Sequence, residues 1–213
     1  MKENFQKVME DLIARLPQDG EKPRLLLHSC CGPCSSYVLE CLCAHFRVTI
    51  DYYNPNIYPA EEFDKRLAEQ TRLLSEMPLP TAVELLPRTY DEREFLEAVK
   101  GLEDEPEGGG RCTVCYRLRL EHTAKLAAEQ GFDYFTTTLT VSPYKHADVL
   151  NAIGKELAEE YGVPYLFSDF KKKEGYKRSC TLAAEYGLYR QDYCGCRFSL
   201  REQEQKDERE TDI

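Results

Sequence analysis

The run Leu25-Leu26-Leu27-His28-Ser29 is apolar on consecutive positions and ends in Cys30-Cys31-Gly32-Pro33-Cys34. Consecutive rather than alternating apolar residues mark a strand buried on both faces, as in a parallel sheet with helices on either side. The Gly-Pro pair then breaks the strand and permits a helix to open. The thiols therefore fall at the carboxyl end of a strand, where open parallel sheets bind ligands.

The rest of the chain repeats the alternation. Phe5, Val8, Met9, Leu12, Ile13 and Leu16 follow helical spacing and stop at Pro17, which predicts an N-terminal amphipathic helix within residues 1–22. Arg24 to Cys30 is strand one. Ser35 and Ser36 are suited to cap a helix running to about His45. Arg47–Tyr53 is strand two, Pro59–Ser75 a helix and Thr81–Leu86 strand three. A helix near Asp91–Lys100 precedes the acidic, glycine-rich loop 103–110, and Arg111–Gln130 is helical. Tyr134–Leu139 is strand four, His146–Tyr161 a helix and Pro164–Ser168 strand five. Lys177–Tyr186 is helical, and residues 201–213 form a polar tail, either disordered or a charged final helix. The reading is α/β: a Rossmann-like parallel sheet of about five strands with helices on both faces, one domain over residues 23–200.

Seven of the ten cysteines fall in three tight clusters: Cys30/Cys31/Cys34, Cys112/Cys115 and Cys194/Cys196. With 213 residues the chain has core enough without them. The first residues lack the apolar stretch of a signal peptide, and no apolar run approaches the roughly 20 residues of a membrane span. A cytoplasmic protein with no membrane partner is expected, and there clustered thiols favour metal or redox chemistry over disulfides. Cys41, Cys43 and Cys180 fall within the expected helices and read as small core residues.

Three chemistries compete. Cys31-Gly32-Pro33-Cys34 matches a thioredoxin-like thiol–disulfide motif after a strand, but that chemistry leaves the other clustered cysteines without a role. Cys112/Cys115 with Cys194/Cys196 could hold a structural zinc, which leaves the first cluster unexplained. A cubane iron–sulfur cluster takes four thiolates and leaves three for a second metal. Adjacent side chains diverge, so Cys30 and Cys31 are expected to face two neighbouring metals. One partition puts Cys112, Cys115, Cys31 and one late cysteine on the cubane, and Cys30, Cys34 and the other late cysteine on the second metal.

The formal net charge of −10 argues against a general nucleic-acid binder. The charge is uneven: residues 84–107 carry a net −6, whereas 111–125 and 169–178 each carry +3. The two basic segments lie near cysteine clusters in sequence. They read as solvated faces or as a phosphate-binding surface around the metal.

Five ordered motifs bear a resemblance to one family: His28-Ser-Cys30-Cys31-Gly-Pro-Cys34, Tyr53-Asn54-Pro-Asn56-Ile-Tyr-Pro59, Gly110-Arg111-Cys112-x-x-Cys115-Tyr116-x-x-Arg119-Leu120, Thr136-Thr137-Thr138-Leu-x-x-Ser142-Pro-Tyr144 and Gly187-Leu-Tyr189-Arg190-Gln-x-Tyr193-Cys194-Gly-Cys196. Over residues 24–200 the chain resembles the QueH family of epoxyqueuosine reductases. That resemblance implies a HUP-like fold, a [4Fe-4S] cluster with a mononuclear iron beside it, and the last step of queuosine synthesis, in which the epoxide oxygen is removed from the wobble base of a tRNA. It also implies an external electron donor. In some members of the family an aspartate stands where this chain has Cys34, which points to the second metal as the partner of that position. A monomer is expected.

The remaining candidates follow from those motifs. His28, Tyr144 and Tyr193 are candidate catalytic residues. Tyr53, Tyr116 and Tyr189 are candidates to stack on an extruded base. Asn54, Asn56, Thr137, Thr138 and Ser142 could contact the substrate. Arg111, Arg119, Arg190, Lys171, Lys172 and Lys173 are candidates for tRNA phosphates.

Overall fold

Strand β1 (Arg24–His28) is central and buried from Leu25 onward. It pairs in parallel with β2 (Arg47–Tyr52) on one side and β4 (Tyr134–Thr137) on the other. With β3 (Glu84–Pro87) outside β2, the sheet order is β3-β2-β1-β4, all parallel. The computed structural model describes residues 3–17 and 19–211, with side chains to residue 209. Residues 1–2, 18 and 212–213, within the two flanking segments, lie outside the described residues.

Side-chain alternation along β1 divides the core. Leu25 and Leu27 pack on one face with Val38, Leu39 and Leu42 of α2 (Gly32–Leu42) and Phe63 of α3 (Ala60–Glu76). Leu26 points the other way, against Leu120, Ala124 and Ala127 of α5 (Gly110–Glu129) and Leu150, Ile153 and Leu157 of α6 (Ala147–Tyr161). Helix α1 (Phe5–Ile13) adds Met9 to the first face, and its Asn4 cap accepts a bond from the Lys7 amide. Helix α4 (Glu92–Ala98) brings Phe95 against Phe198 of the last helix. Helix α7 (Gly175–Glu185) packs on α2. The polar tail is helix α8 (Arg197–Thr211), whose first turns are seated by Phe198 and Ser199.

Two expectations change. The fifth strand is a single bridge, Phe135 to Tyr165, made by Phe135 N–H to Pro164 O (3.1 Å) and Leu166 N–H to Phe135 O (2.9 Å). Strand β4 stops at Thr137 and turns into a 3-10 helix (Thr138–Val141), so no ladder remains to pair with. Asn151 takes over the backbone of Ser168 instead, donating to its carbonyl at 2.8 Å and accepting from its amide at 3.0 Å. Helix α2 also begins earlier than expected. Cys31 is its extended N-cap and Pro33 sits in its first turn, where a missing N–H is harmless. Ser35 and Ser36 are inside the helix, and their hydroxyls turn back to the carbonyls of Cys31 and Pro33, both at 2.9 Å.

Candidate metal centre

The β1–α2 connection gathers three thiols. The sulfurs of Cys30, Cys31 and Cys34 all lie within 4.8 Å of one another, the one such group of three or more possible metal ligands among the described residues. Cys30 and Cys31 do not diverge: their sulfurs are 3.7 Å apart. Two thiolates on one tetrahedral ion at about 2.3 Å stand about 3.8 Å apart, so adjacent cysteines here can share one ion. Hydrogen bonds from Cys31 and Cys34 hold the Cys30 thiol well below its ordinary range, assisted by Arg119. The bond to Cys30 pushes Cys31 up to about 12, and bonds to Cys30 and Cys31 raise Cys34 well above its ordinary range. One thiolate with two donors beside it is a group ready to exchange protons for a cation.

Beneath this loop lies a buried polar knot. Ser29 and Ser35 hydroxyls are 2.6 Å apart, and Ser29 donates to Gln70 Oε1 at 3.0 Å. Asn54, at the end of β2, donates to the Ser29 carbonyl at 2.8 Å. The knot fixes the loop that carries the thiols.

The other four cysteines approach from α5 and from the turn before α8. Cys112 and Cys115 are one helical turn apart, after the glycines that open α5. The Gly108 amide donates to Cys112 Sγ at 3.2 Å. Burial pushes Cys115 up to about 12, opposed by Arg119, while Cys194, Cys196 and Cys112 add to the rise. The Cys194-Gly195-Cys196 turn is fixed by Arg66, which donates to the Cys194 carbonyl at 3.2 Å, and by the Gly195 carbonyl, which accepts from Tyr58 N–H at 2.7 Å. Lys145 donates to Cys194 Sγ at 3.1 Å. Burial alone would lower the Lys145 pKa, but Cys194 outweighs it and the ammonium is retained.

A pocket of about 530 Å3 joins the groups, lined by Cys30, Cys34 and Cys194 together with Lys145, Arg190 and Lys206. Ser142, Tyr144 and Tyr193 also line it. Tyr144 is 77% exposed and stands at the rim. The Tyr193 hydroxyl is committed to the Tyr58 carbonyl at 2.5 Å.

Other candidates lie elsewhere. His28 is fully buried, with Nδ1 2.9 Å from Thr137 Oγ1 and Nε2 3.2 Å from the Tyr53 carbonyl. The carbonyl accepts only, so Nε2 bears the proton and Thr137 donates to Nδ1. Burial, reinforced by Arg119, lowers its pKa to about 4. The structure thus places His28 in the core, with both ring nitrogens engaged internally and away from the pocket lining. Tyr53 stacks on His122 at 3.8 Å and bonds Glu94. Tyr116 is a buried residue of α5 and Tyr189 donates to Glu62 at 3.1 Å; neither lines the pocket. Asn54, Asn56 and Thr138 are buried as well.

The basic candidates divide between the interior and the surface. Arg111 is buried and tied to the carbonyls of Glu103 and Glu105 and to Glu202. Arg119 is buried and donates to the Cys115 carbonyl at 3.2 Å. A phosphate cannot reach either. Lys171 pairs with Asp169 at 2.6 Å and Lys173 with Glu10 at 2.5 Å, and neither these two nor Lys172 line the pocket. Arg190 is the one candidate cation that does. Lys145, Lys206 and Arg66 were not singled out by sequence. Lys145 directly follows the Ser142-Pro-Tyr144 motif, which is the signal that could have found it.

A parallel α/β sheet whose carboxyl edge carries thiols able to hold metal beside a substrate-sized pocket defines a Rossmann-like, cysteine-centred protein. The chain belongs to the QueH family: the family model described as epoxyqueuosine reductase QueH matches residues 25–202. A protein named epoxyqueuosine reductase QueH from Staphylococcus epidermidis is 42% identical over 204 residues, covering 94% of this chain and 86% of that protein. One of the same name from Streptococcus pyogenes serotype M1 is 41% identical, covering 94% of this chain and 79% of its own. That of Thermotoga maritima is 37% identical over 185 residues, covering 85% and 93%. No helix among the described residues is long and apolar enough to cross a membrane.

Proposed function

We propose that this chain reduces epoxyqueuosine to queuosine in tRNA in the cytoplasm, as a monomer drawing electrons from an external donor. The observation that carries the reading is the meeting of Cys30, Cys34 and Cys194, from the two thiol groups, at one pocket. The donor set fits the metals the family implies: seven clustered thiols supply the four of a cubane and three for a second metal. Cys30, Cys31 and Cys34 are close enough to share an ion. Bound there, an iron–sulfur cluster supplies single electrons and a neighbouring iron supplies a Lewis acid for the epoxide oxygen.

The reaction takes two electrons and two protons, breaks both epoxide C–O bonds, forms the alkene and releases water. The chain's own residues bind, orient and protonate. Tyr144, which lines the pocket, would stack on the extruded wobble base. Arg190 and Lys206, which line the pocket, would meet flanking phosphates. Lys145 carries a proton on Nζ beside Cys194 and inside the pocket, and would supply one of the two protons, the second coming from solvent. Tyr193 serves as wall, since its hydroxyl is engaged elsewhere.

Anaerobic purification followed by iron, sulfide and zinc analysis tests this. About four sulfides and about five irons per chain are expected. Colourless protein with one zinc and no sulfide, even after iron–sulfide reconstitution, would reject the reductase and leave a zinc-stabilised module.

A further inference from the structure

Three arginines are among the largest fully buried side chains: Arg66, Arg111 and Arg119. Two have a carboxylate. Arg66 Nε is 2.6 Å from Glu62 Oε1, and Arg111 Nη2 is 3.2 Å from Glu202 Oε1. Arg119 makes no ion pair with a carboxylate among the described residues. Its Nε donates to the Cys115 carbonyl, and its buried Nη2 has no hydrogen-bond partner. A guanidinium cannot shed its proton, and a buried unpaired charge is heavily penalised. Something anionic must therefore lie against it in the working protein.

The surroundings limit what that can be. The charges that act most on Arg119 are the thiols of Cys115, Cys194 and Cys30, which come from both cysteine groups. Arg119 lies one helical turn after Cys115 on α5, with its Nε 3.2 Å from the Cys115 carbonyl. The ring of Tyr116 also lies nearby, 5.9 Å from the guanidinium carbon.

We propose that Arg119 is the counter-charge of the metal centre, a positioning residue between the two thiol groups that raises the reduction potential of the iron–sulfur group they hold. The inference rests on the function proposed above. Its physical content is a sign. Reduction adds negative charge to a thiolate-bound cluster, and a fixed cation in a low-dielectric interior favours the more negative state. The same residue takes no part in holding tRNA.

The test uses wild type, R119K and R119Q, each reconstituted anaerobically. Iron and sulfide per chain, the midpoint potential and the salt dependence of tRNA binding are measured. Expected are equal metal loading, a reduction equilibrium within threefold of wild type for R119K, and one at least tenfold lower for R119Q. Tenfold corresponds to about 59 mV for a one-electron couple. The salt slope for tRNA should not move. A loaded R119Q with an unchanged potential overturns the inference, as does a flattened salt slope in its place. Should R119Q fail to fold, R119K decides: a fall of tenfold or more in its reduction equilibrium would overturn the role of charge. A wild type that takes up neither iron nor sulfide removes the proposed function and this inference with it.

Discussion

Gly195 sits between two thiols with φ +129°, a conformation an L residue adopts only under strain. A Cβ there would stand 2.9 Å from Arg66 Nη1 and 3.4 Å from its Cζ. Arginine termini often move aside, but this one is buried, paired with Glu62 and bonded to the Cys194 carbonyl. Gly195→Ala therefore combines two penalties. The backbone contributes about 1–3 kcal/mol. Displacing the guanidinium from its carbonyl adds about 1.5–3 kcal/mol, the range for hydrogen bonds to charged groups. At about 2–4 °C per kcal/mol for a chain of this size, Tm should fall by roughly 10 °C. Gly187 is the control: its φ is +54° and a Cβ meets nothing within 4 Å. Gly187→Ala carries only a backbone penalty of about 1–2 kcal/mol and should lower Tm by about 2–8 °C. Thermal unfolding of the metal-free proteins compares them. If Gly195→Ala proves no more harmful than Gly187→Ala, Arg66 does not clamp the cysteine turn.

Cys34→Ser should cost about one iron per chain while sulfide stays near four, and elemental analysis with sulfide determination checks it. Arg190→Glu with Lys206→Glu should weaken tRNA binding and flatten its salt dependence by about 1 per lost phosphate contact. Reversing Lys171, Lys172 and Lys173 together should change binding far less, because two of them are paired with acids and all three stand off the pocket. His28 titrates at about 4 when folded, below its usual 6.5, so the unfolded chain binds more protons between those values. The metal-free protein should thus lose about 3 kcal/mol of stability as pH falls from 6.5 to 4, and none of that above 6.5. Urea unfolding across this range should show the slope, and His28→Gln should flatten it.

The order of strands and helices was legible because it rests on local chemistry. The Leu25–Leu27 run, the Gly32-Pro33 break and the helical spacing of Val149, Leu150, Ile153 and Leu157 each decide their own segment. The fifth strand was not, because Tyr165-Leu166-Phe167 has strand composition but its pairing depends on where β4 ends. Asn151 then decides the path of Ser168 from 17 positions away. Cys30, Cys31 and Cys34 were visible as a group that could hold a metal. The roles of the arginines were hidden: a basic residue beside a metal motif suggests a phosphate, yet Arg111 finds Glu202 across 91 positions and Arg119 faces thiols. Burial of a long charged side chain is a property of the assembled core.

The most direct measurement is turnover. Iron–sulfide-loaded protein, an artificial one-electron reductant and tRNA carrying epoxyqueuosine are combined without oxygen, and the digested nucleosides are weighed by mass spectrometry. Loss of one oxygen from the wobble nucleoside, dependent on both loading and reductant, is the predicted result. Fully loaded, reduced protein that binds the tRNA yet leaves its epoxide intact would contradict the account.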